Sequence, residues 1–359
     1  MKKSKLLKKL FSILTLTTII STSLFGCGTS STSSTTTSSK ETASSDSSSD
    51  KLFEVDAYGE LDPQVSAQQI IADKLGYFKE EGLKVNNKLM TGPDQNAPLV
   101  ASGTASICFG SIYNNIAVAA NGVKVKVLAP LANAAGTQSV VARPGLNLTS
   151  AKDLEGKKIG MTSGAGVLIA IRNMCNELGV DINKINFVNL QASEQLSALE
   201  KGDIDAMAVW EPWVGKAQAI GGKLLFSGTT SNLPEKQGNV HWIDFYMTVQ
   251  ATESFYNQHP KELKSFLSAL NKATKYINEN PEDSAKIIAT EINIDPKDCL
   301  RIMKNNVYSM KFDDQFVSGT NAMANFMLDM KNINSVPDFS QYTDTKILSS
   351  LDPSLVTAK

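Results

Sequence analysis

Two histidines and four cysteines are few for 359 residues, and arginine occurs only at Arg143, Arg172 and Arg301. Each scarcity excludes something. His241 and His259 stand apart, and His259 precedes Pro260 in a polar turn, so no histidine-based metal site and no cofactor is expected. Cys108, Cys175 and Cys299 are distant from one another, odd in number and set in apolar sequence. That is the pattern of buried thiols, not of a disulfide framework or a metal set. Three arginines leave few candidates for a bidentate clamp on a carboxylate. No serine nucleophile motif is accompanied by a plausible histidine and acid, so the chain does not read as an enzyme. With a formal net charge of −1 it carries no basic excess and is a poor partner for nucleic acid.

The N-terminus has a pattern of its own. Lys2, Lys3, Lys5, Lys8 and Lys9 head an apolar stretch, and no further charge occurs until after Cys27. A basic head followed by a short apolar run describes a secretory signal, and the run is marginal for a spanning helix. Positions 29–50 hold 17 Ser or Thr among 22 residues, with no aromatic and no branched aliphatic. Such a stretch cannot bury enough apolar surface to offset its ordering entropy and reads as a flexible tether. Leu24-Phe25-Gly26-Cys27 resembles the bacterial lipobox, whose cysteine receives a diacylglyceryl group and becomes the mature N-terminus. The expectation is a signal peptide over 1–26, a tether over 27–51, and an exported protein lipid-anchored at Cys27 to the outer face of the cell membrane. Loss of the five leader lysines moves the charge from −1 to −1 − 5 = −6.

From Leu52 onward about 300 residues remain, enough for two lobes. Short apolar strands are predicted at 53–57, 83–89, 106–109, 124–128, 158–161, 185–190, 204–209 and 223–226. Stretches of helical spacing lie between them, such as Val167, Ile171, Met174, Cys175 and Leu178. That alternation predicts an α/β protein with largely parallel sheets. The tail reads instead as successive helices over 261–278, 282–291, 297–308 and 315–332, with Pro260, Pro281 and Pro296 at their starts. An internal echo links the halves: Leu99–Ser111 parallels Ala198–Trp210 at an offset of 99 residues, with Gly103 answering Gly202 and Gly122 answering Gly221. The glycines suit left-handed caps that turn a helix into a strand.

In open α/β sheets ligands sit outside the carboxyl ends of strands. The first copy of the echo is followed there by Ser111, Tyr113 and Asn114, the second by Trp210, Glu211, Pro212 and Trp213. Pro212 suits the first position of a helix. A third loop, Ser163, Gly164, Ala165 and Gly166, precedes the helix through Leu178. Its small residues let backbone amides approach a ligand at a helix start, which favours an anion or polar group. Gln64, after Asp62-Pro63, is a further candidate, and Tyr246 is a hinge or site residue. Glu211 reads either as a helix-start carboxylate or as an acceptor for a ligand amine or ring N–H.

Leu75-Gly-Tyr-Phe-Lys-Glu-Glu-Gly-Leu83, Ala101-Ser-Gly103, Phe109-Gly110, Asp153-Leu-Glu-Gly-Lys-Lys-Ile-Gly160, Val209-Trp-Glu-Pro-Trp213 and Phe245-Tyr246 occur in unbroken order. In that order they resemble the sulfonate, taurine and nitrate substrate-binding proteins of ABC importers, a superfamily shared with the binders and synthases of the thiamine pyrimidine precursor. The resemblance implies a type II periplasmic-binding-protein fold, two α/β lobes joined by two hinge crossings near Val140–Arg143 and Asp244–Val249. Lobe 1 would comprise 52–141 plus 247–359, and lobe 2 would comprise 142–246. It implies a monomer that closes over a small-molecule solute, an aliphatic sulfonate, taurine or a nitrate-like anion, and delivers it to permease and ATPase subunits. A thiamine pyrimidine precursor binder is the alternative, favoured by the Trp/Glu loop, with an enzyme or sensor on the same fold behind it.

Overall fold

The computed structural model describes residues 51–91 and 95–358; the leader, Cys27 and nearly all of the tether lie outside the described residues. Thirteen strands are described: β1 (Phe53–Glu60), β2 (Leu83–Met90), β3 (Ile107–Ser111), β4 (Val125–Asn133), β5 (Ser139–Ala142), β6 (Lys158–Met161), β7 (Asn186–Asn189), β8 (Ala206–Val209), β9 (Lys223–Ser227), β10 (Thr230–Leu233), β11 (Lys236–Asn239), β12 (Tyr246–Thr252) and β13 (Val307–Tyr308). They form two sheets, one ordered β13-β4-β12-β3-β1-β2 and the other β11-β10-β9-β5-β8-β6-β7.

The echo in the sequence is an echo in topology. Read outward from the middle, β4-β12-β3-β1-β2 corresponds to β9-β5-β8-β6-β7. β1 runs parallel to β2 and β3, as β6 does to β7 and β8, whereas β12 and β5 each run antiparallel to both of their neighbours. Gly103 and Gly202, at φ 75° and 77°, both take the left-handed conformation that ends a helix before its strand. Every residue of β3 but Ser111 is buried, and all of β8 is. Burial on both faces explains why these strands read as continuous apolar runs.

β5 and β12 correct the expected crossings. Val140, Val141 and Ala142 are fully buried in a central strand of the second sheet, and β12 pairs with both β3 and β4 in the first. The chain passes between sheets over 134–138 and 240–245, so the first passage lies a few residues before Val140–Arg143. β-branched, fully apolar residues belong in a pleated, two-sided environment more than in a solvated hinge.

The tail packs as helices beside the first sheet. Helix Pro260–Glu279 buries Leu263, Phe266, Leu267, Leu270, Ala273 and Ile277, a stripe at helical spacing. Its Phe266 ring lies 4.9 Å from Phe78 and 6.0 Å from Phe109. Helix Pro296–Met303 ends before the expected Tyr308. Asn305 and Asn306 turn their side-chain amides onto the carbonyls of Arg301 and Ile302, at 3.2 and 3.1 Å, and Val307–Tyr308 joins the edge of the first sheet as β13. Short polar side chains competing for helix-end carbonyls stop the helix there. Among the described residues no helix is long and apolar enough to cross a membrane.

Candidate functional site

Four parallel strands, β1 and β3 of the first sheet and β6 and β8 of the second, send their carboxyl ends toward one cavity of about 560 Å³. That volume falls within the roughly 300–1,000 Å³ of small-molecule sites. Each strand is followed by a short loop and a helix, so the cavity is ringed by helix starts: Pro63–Lys74, Ile112–Ala120, Val167–Leu178 and Trp213–Ala219. The chain between the sheets adds Gln138 and Phe245 to the wall, and β12 adds Met247.

At the end of β1, Asp62 caps the helix that Pro63 begins. Its carboxylate accepts from the Gln64 amide at 2.8 Å and from Gln64 Nε2 at 3.1 and 3.0 Å. Burial raises the Asp62 carboxyl to about 6, against the lowering effect of the Gln64 bonds, and Glu211 adds to the rise. Gln64 is only 1 % exposed. Its Oε1 accepts from Thr137 in the passage between the sheets, and its Nε2 also reaches the Glu211 carbonyl at 3.5 Å. One buried amide thus joins the first sheet, the passage and the second sheet.

Glu211 is 2 % exposed. Its carboxylate accepts from the Gly215 amide at 3.1 Å and pairs with the Arg301 guanidinium on helix Pro296–Met303. The bond from Gly215 matches the helix-start reading of Glu211, and Arg301 is a partner that the sequence reading did not include. Pro212 is the N-cap of the helix, one position before the expected first turn, and Trp213 begins the helix. Lys216 lies over the Trp213 ring, 4.2 Å from its centroid.

The Ser163–Gly166 loop is packed by Asn332 of the C-terminal tail and by Phe245 of the passage between the sheets. Gly164 has φ 76°, and a Cβ there would meet Asn332 at 2.7 Å; one at Gly166 would meet the Phe245 ring at 2.6 Å. The Ser163 amide donates to Asn189 at 3.0 Å and the Ala165 amide to the Thr162 carbonyl at 3.1 Å. The amides of Gly164 and Gly166 make no hydrogen bond among the described residues. Burial raises the Tyr113 hydroxyl above its ordinary range, and a hydrogen bond with Asn332 opposes that rise.

Gln64, Ser111, Tyr113, Asn114, Ser163, Gly164, Ala165, Gly166, Trp210, Glu211 and Trp213 all line this one cavity. Tyr246 does not. Its ring packs edge-on against Phe316 at 4.9 Å, because alternation along β12 turns Phe245 and Met247 to the cavity and Tyr246 to the core. The sequence reading missed, among others, Glu60, Asp62, Gln138, Phe245 and Met247. Asp62 carried a signal, since Asp before Pro at a strand end marks a helix cap; Gln138 carried none.

None of the lining residues is cysteine or histidine. Burial pushes the thiols of Cys108 and Cys299 up to about 12 and that of Cys175 to about 11, so they are poor nucleophiles. Among the described residues no group of side chains could hold a metal ion.

The family model described as NMT1/THI5 like matches residues 64–284. A protein of Bacillus subtilis (strain 168) named for binding aliphatic sulfonates is 24% identical over 288 residues, 78% of this chain and 83% of its own. The taurine-binding periplasmic protein of Escherichia coli (strain K12) is 24% identical over 293 residues, 76% of this chain and 86% of its own. A solved structure from Methylobacillus flagellatus KT, named as the periplasmic sulfonate-binding protein SsuA of an ABC transporter, superposes with a TM-score of 0.71 at 17% identity. It covers 85% of this chain and 95% of that one.

Proposed function

The chain belongs to the NMT1/THI5-like family and has the type II periplasmic-binding-protein fold, and on that premise we propose that it is the solute-binding component of an ABC importer. The observation that carries this reading is the cavity: four strand-to-helix connections, two from each sheet, line one cleft of about 560 Å³. Strand ends converging from two sheets suit capture by closure of the lobes, a common hinge motion around a ligand. Residues 52–133 with 246–359, which carry the first sheet, would act as one lobe and 139–239, which carry the second, as the other, a few residues from the expected boundary at 141/142. The chain is exported and held to the outer face of the cell membrane by a lipid on Cys27, where it hands its solute to permease and ATPase subunits.

Within that role a sulfonate-bearing solute is the class that the relatives' names support. Its anionic end would rest on the Ser163–Gly166 loop, where two amides are open at the start of a twelve-residue helix. A thiamine pyrimidine precursor is a second reading, favoured by the Tyr113, Trp210, Trp213 and Phe245 rings around the cavity. Buried thiols and the absence of histidine from the lining support binding over catalysis.

Mass spectrometry of solute carried through native purification tests the role, followed by calorimetry with taurine, a short alkanesulfonate, nitrate and a hydroxymethyl aminopyrimidine. One small solute per chain is expected. A protein that carries nothing and binds none of the four would overturn the reading.

A further inference from the structure

The charges on the cavity wall run against a plain anion. Glu60, Asp62 and Glu211 line it, and no lysine, arginine or histidine does among the described residues. Glu211 is paired with Arg301, whereas Asp62, just past the carboxyl end of β1, lines the cavity with no cationic partner among the described residues. Glu60 is 7 % exposed. A carboxylate largely withdrawn from water at one end of a cavity favours an opposite charge beside it and disfavours a like one.

Three further observations give that end a chemistry. Asp62 Oδ1 takes two hydrogen bonds from Gln64, whereas Oδ2 takes one at 3.0 Å, so a carboxylate oxygen with two lone pairs keeps room for a donor. The aromatic rings of Tyr113, Trp210, Trp213 and Phe245 line the same cavity. Ring faces attract cationic nitrogen, and aromatic walls beside carboxylates are the usual recognition chemistry for ammonium groups. The open amides of Gly164 and Gly166, which suit an anion, lie in a loop of the second sheet, whereas Asp62 and Glu60 belong to the first.

We propose that the solute carries a protonated amine, received at the first-sheet end of the cavity by Asp62 with Glu60 beside it, and that Asp62 sets the preference for amines over plain anions. This rests on the solute-binding reading and narrows it: an amine or an aminosulfonate is accepted, and an alkanesulfonate without nitrogen is discriminated against.

The test is equilibrium dialysis of the full processed protein against matched pairs that differ by one amine: taurine with ethanesulfonate, 3-aminopropanesulfonate with propanesulfonate, and phenethylamine with phenethyl alcohol. Retained solute is quantified by mass spectrometry. The amine member of a retained pair should be enriched at least about tenfold, the scale of one charge-assisted hydrogen bond. Asp62→Asn keeps an oxygen that can cap the helix, so it should fold. It should bring the enrichment to near one, with thermal unfolding recorded alongside to verify folding. Equal or reversed enrichment in the natural protein, or enrichment unchanged in a folded Asp62→Asn, overturns the amine proposal while leaving solute binding intact. Retention of no member of any pair overturns the amine proposal, and the solute-binding reading falls with it only if native mass spectrometry and the calorimetric series are silent too.

Discussion

Arg301 and Glu211 form an ion pair that ties the C-terminal helices to a loop of the second sheet. Arg301 sits on helix Pro296–Met303, which leads into β13 of the first sheet, while Glu211 follows β8 of the second. A Cβ on Gly215 would collide with the Arg301 guanidinium, so the approach also depends on that glycine.

Removing the arginine therefore leaves a carboxylate that is 2 % exposed without its counter-charge. Arg301→Met should cost about 2–3 kcal/mol in urea unfolding, less than the 3–5 of a fully buried pair because the Arg301 side chain is partly exposed. Arg301→Met with Glu211→Gln should cost less than the sum of the two single changes. Strict additivity would mean that the pair contributes nothing across the interface.

Asp62 gives a pH signature of defined sign. Its carboxyl is raised from 3.8 to about 6, so the folded chain holds that proton more tightly than the unfolded one. Between pH 4 and 6 the unfolded chain has released the proton and the folded chain has not, so stability falls as pH rises through that window. Partial exposure limits the effect to about 1–2 kcal/mol. Carboxyls lowered by hydrogen bonds, such as Asp153, Glu155 and Glu177, act in the opposite direction but are common to both proteins. The stability of Asp62→Asn minus that of the natural protein should therefore grow from pH 4 to 6 and then level. A flat difference would mean that Asp62 titrates normally.

Gly164 and Gly76 separate backbone strain from a site effect. Both have positive φ, 76° and 78°, but a Cβ on Gly76 meets nothing within 4 Å, whereas one on Gly164 meets Asn332. Alanine at either position should cost about 1 kcal/mol of stability. Only Gly164→Ala should also weaken solute binding in calorimetry, by roughly tenfold or more, because it displaces a loop that lines the cavity. Equal binding by both variants would place the Ser163–Gly166 loop outside the site.

Much of this site was legible because its parts are local. Strand, loop and helix start occupy a dozen residues each, so periodicity and cap chemistry placed Ser111–Asn114, Ser163–Gly166 and Trp210–Trp213 without any knowledge of the sheets. Gln138 and Phe245 were not legible, since they come to the cavity only because the chain passes between sheets there. Arg301 lies 90 residues from Glu211 in sequence, and no local pattern announces that partnership. Tyr246 shows the limit of neighbourhood reasoning: it is flanked by two lining residues, and the pleat of β12 turns it away.

Cys27→Ala tests the anchor. An apolar leader ending in Leu-Phe-Gly-Cys and followed by a Ser/Thr-rich segment predicts lipidation at that thiol. The variant should leave the membrane fraction or keep its leader. Normal processing with unchanged membrane retention would show that something other than a lipid on Cys27 holds the protein.

The three tryptophans allow solute binding to be read optically and assigned. Trp210 and Trp213 line the cavity, whereas Trp242 is 2 % exposed, donates to Glu177 at 2.7 Å and meets Phe226 edge-on at 5.3 Å. Emission follows the polarity around an indole, and only the first two change surroundings when solute displaces water from the cavity. Trp242→Phe should therefore lower the baseline emission and keep the solute-induced change. Trp210→Phe with Trp213→Phe should remove that change while the protein still unfolds cooperatively. Replacing rings on which the solute packs should also weaken binding, by about 1–3 kcal/mol for the pair if each contributes as aromatic contacts usually do. If the emission change instead follows Trp242, closure perturbs the second lobe away from the cavity, and the two loop indoles are not part of the wall that the solute touches.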